Sequence, residues 1–225
     1  MPIKAVIFDL DGTLTGFNLD YKTLRAEVRG YLISRGIPAS LLKVNESIFE
    51  MLQKTEIYFK NRNKQKTFEE INAECLGKAE KHEIEAAKTT SLLPGAVVTL
   101  RELQKMEIKV GLCTTSSQVA ADYILKKFKI SDFFEVVVPR NKVKNVKPDP
   151  EQYEIALKTL NVQSDSALIV GDSKADMESA KELKAIAVGL PTGLSTKEEL
   201  TEYGANYILT ALSDLLILIK KINND

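Results

Sequence analysis

Apolar runs of strand length recur at residues 5–8, 110–113, 135–138, 167–170, 186–188 and 207–209, rich in Val and Ile and bounded by Gly, Asp, Ser or Pro. Each predicts a strand. Apart from Glu135 the runs are continuously apolar and do not alternate, the pattern of strands buried on both faces. From the second run onward the gaps carry helical periodicity. Val97, Leu100, Leu103 and Met106 recur at about one helical turn, and residues 119–128, 151–160 and 177–183 behave similarly. Buried strands alternating with amphipathic helices predict an α/β fold with a parallel sheet covered by helices on both faces. Such sheets bind ligands at the carboxyl ends of their strands. A final amphipathic stretch, residues 212–222, is read as a helix packed on this core.

One gap breaks the rhythm. Residues 18–90 contain no strand pattern but do contain helical signals. Asp20 can cap a helix running toward Arg35, where Gly36 and Pro38 supply the stop. Thr67-Phe68-Glu69-Glu70 has the form of a capping box opening another helix. The stretch reads as an all-helical domain inserted into the α/β core. The core is then residues 1–17 and 91–225, re-entered near Leu93-Pro94-Gly95, with 18–90 as the insert.

Composition narrows the class. The chain has 225 residues, 44% hydrophobic and 28% charged, which suits a soluble globular protein and not a disordered one. Lys plus Arg equals Asp plus Glu at 31 each, so no basic excess favours nucleic acid as a partner. The longest apolar run, residues 215–219, is far below the roughly 20 residues of a membrane span. The first residues lack a signal-peptide core. Cys75 and Cys113 show no CxxC spacing and are read as reduced thiols. These features predict a cytoplasmic protein, monomer or homodimer, whose partner is a small molecule and neither nucleic acid nor membrane.

The candidate chemistry lies at strand ends. The first run closes in Asp9-Leu10-Asp11-Gly12-Thr13-Leu14. Two carboxylates two positions apart on an extended segment share a face and can grip one divalent cation. The fourth run ends in Gly171-Asp172-Ser173-Lys174-Ala175-Asp176, a second acidic pair. Burying several anions together requires a compensating cation, which points to Mg²⁺ with oxygen ligands. Cys113-Thr114-Thr115 closes the second run and offers hydroxyls at the same edge. Lys147-Pro148-Asp149-Pro150 follows the third. There Asp149 and Pro150 read as N-cap and first helical position, and Lys147 stands just before a helix N-terminus, where an anion is welcome.

These four motifs, in this order, resemble those of the haloacid dehalogenase superfamily, over residues 3 to 190. The resemblance implies a Rossmann-like core with an inserted helical cap, similar to the branch of phosphoglycolate phosphatases and β-phosphoglucomutases. It implies that Asp9 attacks phosphorus to form an aspartyl-phosphate, and that Asp11 protonates the leaving oxygen and then activates water. Mg²⁺ would be held by the Asp9 carboxylate, the Asp11 carbonyl and Asp172, with Asp176 ligating directly or through water. Thr114 and Lys147 would cradle the phosphoryl oxygens. Thr115 stands where the family often carries asparagine. The implied activity is Mg²⁺-dependent hydrolysis of a small phosphomonoester, phosphoglycolate at the family level. Asp11 argues against dehalogenation, since a halide leaves without a proton. The alternatives are a sugar phosphomutase, which shares every core motif, and a catalytically inactive binding module.

Blander roles stand beside these. Thr114 can cap the helix that follows it, and Asp176 can orient neighbours without ligating. Lys22, Arg25 and Arg29 share one helical face, which is read as a solvated stripe before it is read as a substrate contact. His82 reads as a surface residue, and residues 60–66 as an exposed basic loop.

Overall fold

In the computed structural model residues 2–224 are described. They divide into two compact units, Leu19–Ala86 and the remainder of the chain. In the larger unit the strands are β1 (Ala5–Phe8), β2 (Lys109–Thr114), β3 (Val136–Pro139), β4 (Ala167–Gly171), β5 (Ile186–Gly189) and β6 (Tyr207–Ile208). They form one sheet in the order β3-β2-β1-β4-β5-β6, with every pairing parallel. The apolar runs become strands for the reason their pattern suggests. Val6 and Phe8 face one core with Leu100, Leu103, Ile124 and Leu215, while Ala5 and Ile7 face another with Tyr153, Ala156, Met177 and Leu200. Neither face meets water, so a continuous apolar strand is the stable solution.

The first core is covered by helices Ala96–Lys105, Gln118–Lys127 and Asp214–Asn224, and the second by Glu151–Leu160, Lys174–Leu183 and Lys197–Glu202. Glu151 opens its helix as the Asp149–Pro150 signal predicts, one residue later, and the Asp149 carboxylate accepts from its N–H over 3.0 Å. The six-residue helix Lys197–Glu202 has no counterpart in the periodicity analysis. A Thr196–Glu199 capping box starts it, and it buries only Leu200. Phe8 is in register with Leu112 of β2 and Val170 of β4, so the carboxyl ends of the three central strands stand level. β1 lies where the strand order reverses, the position at which open α/β sheets place their ligands.

The smaller unit contains Tyr21–Ser34, Ile48–Lys60 and most of the long helix Gln65–Thr89. Asp20 caps the first through the Thr23 N–H, and Gly36, at φ +90°, takes the left-handed conformation that ends it. The second starts at an unanticipated Ser47–Glu50 capping box. The third corrects the reading of Thr67 as an N-cap: Phe68 N–H already bonds to the Lys64 carbonyl, so Thr67 lies inside the first turn. Leu24, Val28, Leu32, Met51, Phe59 and Ile71 form this unit's own core.

Two side chains of the basic stripe are committed locally. Arg29 donates to the carbonyls of Leu42 and Ala39, and Arg25 stacks on Tyr21 and donates to the Val44 carbonyl over 3.4 Å. They tie down the 39–44 segment. His82 is not a bare surface residue, since its Nε2 lies 2.9 Å from Glu27, whose other oxygen accepts from Lys78 over 2.7 Å. Residues 60–66 are exposed. Among the described residues no helix is long and apolar enough to cross a membrane.

Candidate active site

The level strand ends bring the sequence motifs to one place. Asp9 follows β1, its N–H donating to the Val170 carbonyl over 2.9 Å, and Asp172 follows β4. Asp176 sits in the first turn of the helix Lys174–Leu183. Ligand oxygens of Asp9, Asp172 and Asp176 lie within 4.8 Å of one another, and all three residues are buried. Lys147, equally buried, enters from the loop after β3. Its Nζ lies 2.6 Å from Asp9 Oδ1 and 2.6 Å from Asp176 Oδ1, and donates to the Cys113 carbonyl over 3.2 Å. These contacts use all three ammonium hydrogens. Lys147 therefore faces the carboxylates, and the preference for anions at the following helix N-terminus is not what places it.

Asp176 is the most tightly held member. Its Oδ1 accepts from Lys147 and from the Tyr153 hydroxyl over 2.7 Å, and its Oδ2 accepts from the Ser173 N–H and hydroxyl. Each oxygen thus receives two donors, its full capacity. Ser173 and Asp176 are also the two ends of a capping box, so the start of the helix fixes the carboxylate. Gly171 makes room for it, since a Cβ there would lie 2.3 Å from Asp176 Cγ.

Asp172 accepts from the Thr13 hydroxyl over 3.2 Å and from the Leu194 N–H over 2.7 Å. The Asp11 carboxylate points elsewhere and accepts from the Ser116 hydroxyl over 2.7 Å. Thr114 is buried. Its Oγ1 accepts from the Ser116 N–H over 3.0 Å, and its carbonyl accepts from Gln152. Ser117, not Thr114, caps the helix Gln118–Lys127. Thr115 contributes its carbonyl, which accepts from Arg140 over 3.2 Å.

The electrostatics follow from burial. Three buried carboxylates face one ammonium in the cluster. Loss of hydration pushes the Asp9 carboxyl well above the usual carboxylate range, against the pull of Lys147 and with the push of Asp176 and Asp172. Burial, then Asp176, pushes Asp172 up to about 6, opposed by the Leu194 N–H. Burial works against the charge on Lys147, but Asp176 and Asp9 outweigh it and hold the ammonium above the ordinary lysine value. This excess of buried negative charge and the all-oxygen donor set fit a hard divalent cation.

Several residues escaped the motif reading. Thr13 and Ser173 lay within quoted motifs, and the Ser173–Asp176 spacing is itself a capping-box signal. Ser116, Gln152, Tyr153 and Leu194 carry no local pattern that marks them.

Similarity to known proteins agrees with this arrangement. The sequence profile described as haloacid dehalogenase-like hydrolase matches residues 6–189. A pyrophosphatase PpaX from Listeria innocua serovar 6a is 29% identical over 227 residues, covering 97% of each chain. The pyrophosphatase PpaX of Bacillus mycoides is also 29% identical and covers 99% of this chain and 100% of its own. The crystal structure of a hydrolase from Pseudomonas syringae shares 25% identity at a TM-score of 0.69, over 97% of this chain and 99% of that one.

Proposed function

The chain belongs to the haloacid dehalogenase-like hydrolases, and we propose that within that family it is a Mg²⁺-dependent phosphatase acting on a small phosphomonoester through an aspartyl-phosphate. The observation that carries this reading is the Lys147 ammonium held between Asp9 and Asp176 beside a third buried carboxylate. Asp9 and Asp172, with the Asp11 carbonyl, would hold the ion. When bound, it would screen the carboxylates and stabilise charge on the phosphoryl group. Asp176, with both oxygens saturated by protein donors, contributes charge and orientation and not a ligand atom.

The remaining chemistry falls to the chain's own groups. An Asp9 oxygen attacks phosphorus, and the bond from phosphorus to the leaving oxygen breaks as that oxygen takes a proton from Asp11. Asp11 then removes a proton from water, which attacks the acyl phosphate, releases phosphate and regenerates the Asp9 carboxylate. Lys147 holds Asp9 in place and offsets the charge that develops, and the Thr114 hydroxyl donates to a phosphoryl oxygen. The core motifs meet only the phosphoryl group in this reading, so selection among small metabolites is assigned to the helical unit.

A second substrate reading, inorganic pyrophosphate, is favoured by the names of the full-length relatives. The same residues serve it, with a phosphate oxygen as leaving group. Turnover of p-nitrophenyl phosphate, phosphoglycolate and pyrophosphate, with EDTA and with Mg²⁺, tests the proposal. Borohydride quenching during turnover should convert Asp9 to homoserine, detectable by peptide mass. Absence of Mg²⁺-dependent turnover on all three would overturn the reading, and the preferred substrate separates the ester from the anhydride.

A further inference from the structure

The segment between β5 and the helix Lys197–Glu202 lies outside every sequence motif, yet it wraps around one carboxylate. Leu194 N–H donates to Asp172 Oδ2 over 2.7 Å, and Ser195 N–H donates to the Asp172 carbonyl over 3.1 Å. The Thr192 hydroxyl donates to the Gly12 carbonyl over 2.5 Å, tying the segment to the turn after β1. That turn in turn supplies the Thr13 hydroxyl to Asp172 Oδ1. Between these anchors stands Gly193. A Cβ built there would lie 2.0 Å from Asp172 Oδ2 and 2.9 Å from Gly12 Cα. Gly12 crowds the same carboxylate, its own Cβ position falling 2.5 Å from Oδ2.

Asp172 is thus packed between two glycines and bonded from two loops. The approach at Gly193 is set by space, because any side chain would occupy the carboxylate's own volume. A carboxylate meant to bind a cation needs this restraint, since a ligand free to rotate loses entropy when the ion arrives and a shift of about half an ångström spoils the geometry.

We propose that residues 190–196 are a positioning element for the divalent cation, with Gly193 and the Leu194 N–H keeping the Asp172 carboxylate beside those of Asp9 and Asp176. The inference rests on the cation reading above and extends it to a segment with no metal-ligating side chain. Gly193→Ala should push Asp172 out of the cluster. Thr192→Val, a milder change, should loosen the segment without a steric clash.

The test is Mn²⁺ binding to the full chain without substrate, with free ion measured by electron paramagnetic resonance, alongside the melting temperature of each metal-free variant. Gly193→Ala should weaken Mn²⁺ binding about tenfold or more, and Thr192→Val by a smaller factor. Metal-free melting of Thr192→Val close to wild type would separate positioning from folding. Wild-type affinity in Gly193→Ala, or in Thr192→Val should Gly193→Ala not fold, would overturn this inference alone. A wild-type chain that binds no Mn²⁺ would overturn the cation reading and this inference with it.

Discussion

Ser116 Oγ donates to Asp11 Oδ2 over 2.7 Å, joining residues 105 positions apart. The loop that carries Ser116 is itself pinned, since buried Arg140 donates its N–H to the Ser116 carbonyl over 3.3 Å and its guanidinium to the Thr115 carbonyl over 3.2 Å. In the proposed mechanism Asp11 gives a proton in one step and takes one in the next, so its carboxyl must hold its place through both. Ser116→Ala is expected to lower kcat about tenfold on an alkyl phosphate, with a smaller loss on p-nitrophenyl phosphate and little change in KM. Ser116→Thr should recover part of the rate. Equal losses on both substrates would remove Ser116 from the service of Asp11.

Asp9→Asn keeps the shape of the side chain and removes the proposed nucleophile. Turnover should fall at least about a thousandfold, while the circular dichroism spectrum stays that of the wild type. Retention of rate within about tenfold of wild type would exclude Asp9 as the attacking group.

Tyr153 is fully buried, and its hydroxyl donates to Asp176 Oδ1 over 2.7 Å. Tyr153→Phe preserves the packing and deletes one donor to a charged acceptor. Urea unfolding should show a loss of about 1.5–3 kcal/mol, the range for such bonds. Its kcat should also drop, because Asp176 helps to hold Lys147 against Asp9. An unchanged midpoint and an unchanged kcat would refute the coupling.

Asp172, near 6 in the metal-free fold, should ionise in the unfolded chain near 3.9. The folded state then holds a proton that the unfolded state has released, so this group's contribution is present below pH ~4 and lost as pH rises through ~6. Asp9 acts in the same direction. Measured without metal, Asp172→Asn should gain stability relative to wild type across that window. Mg²⁺ added at pH 7.5 should stabilise wild type and leave Asp172→Asn little changed. A stability difference that is flat from pH 4 to 7 would show that the carboxylate is not held in this unfavourable state.

The sequence by itself determined the parallel sheet and the strand ends at which the candidate site residues stand. A strand buried on both faces must be apolar throughout, so residues 5–8 and 167–170 announced themselves, and Asp9 and Asp172, next to those runs, had to lie at strand ends. Helix starts were legible where capping and periodicity agreed, as at Asp20 and near Glu151. Thr67 misled because a capping box is a local preference, and the chain became helical earlier, where Phe68 could bond to Lys64.

Only the tertiary structure decided what each acid touches. Lys147 meets Asp9 from 138 residues away and Asp176 from 29. Thr192 meets Gly12 from 180. No periodicity links such pairs, because side-chain pattern reports the path of the backbone and not the neighbours it acquires. Arg25 and Arg29 shared a helical face in the sequence, but only the folded 39–44 segment showed that the carbonyls of Ala39, Leu42 and Val44 stand within their reach. Gly193 had the same local signature as any loop glycine. Its role appears only when the Asp172 carboxylate, 21 residues earlier in sequence, fills the space where its side chain would have been.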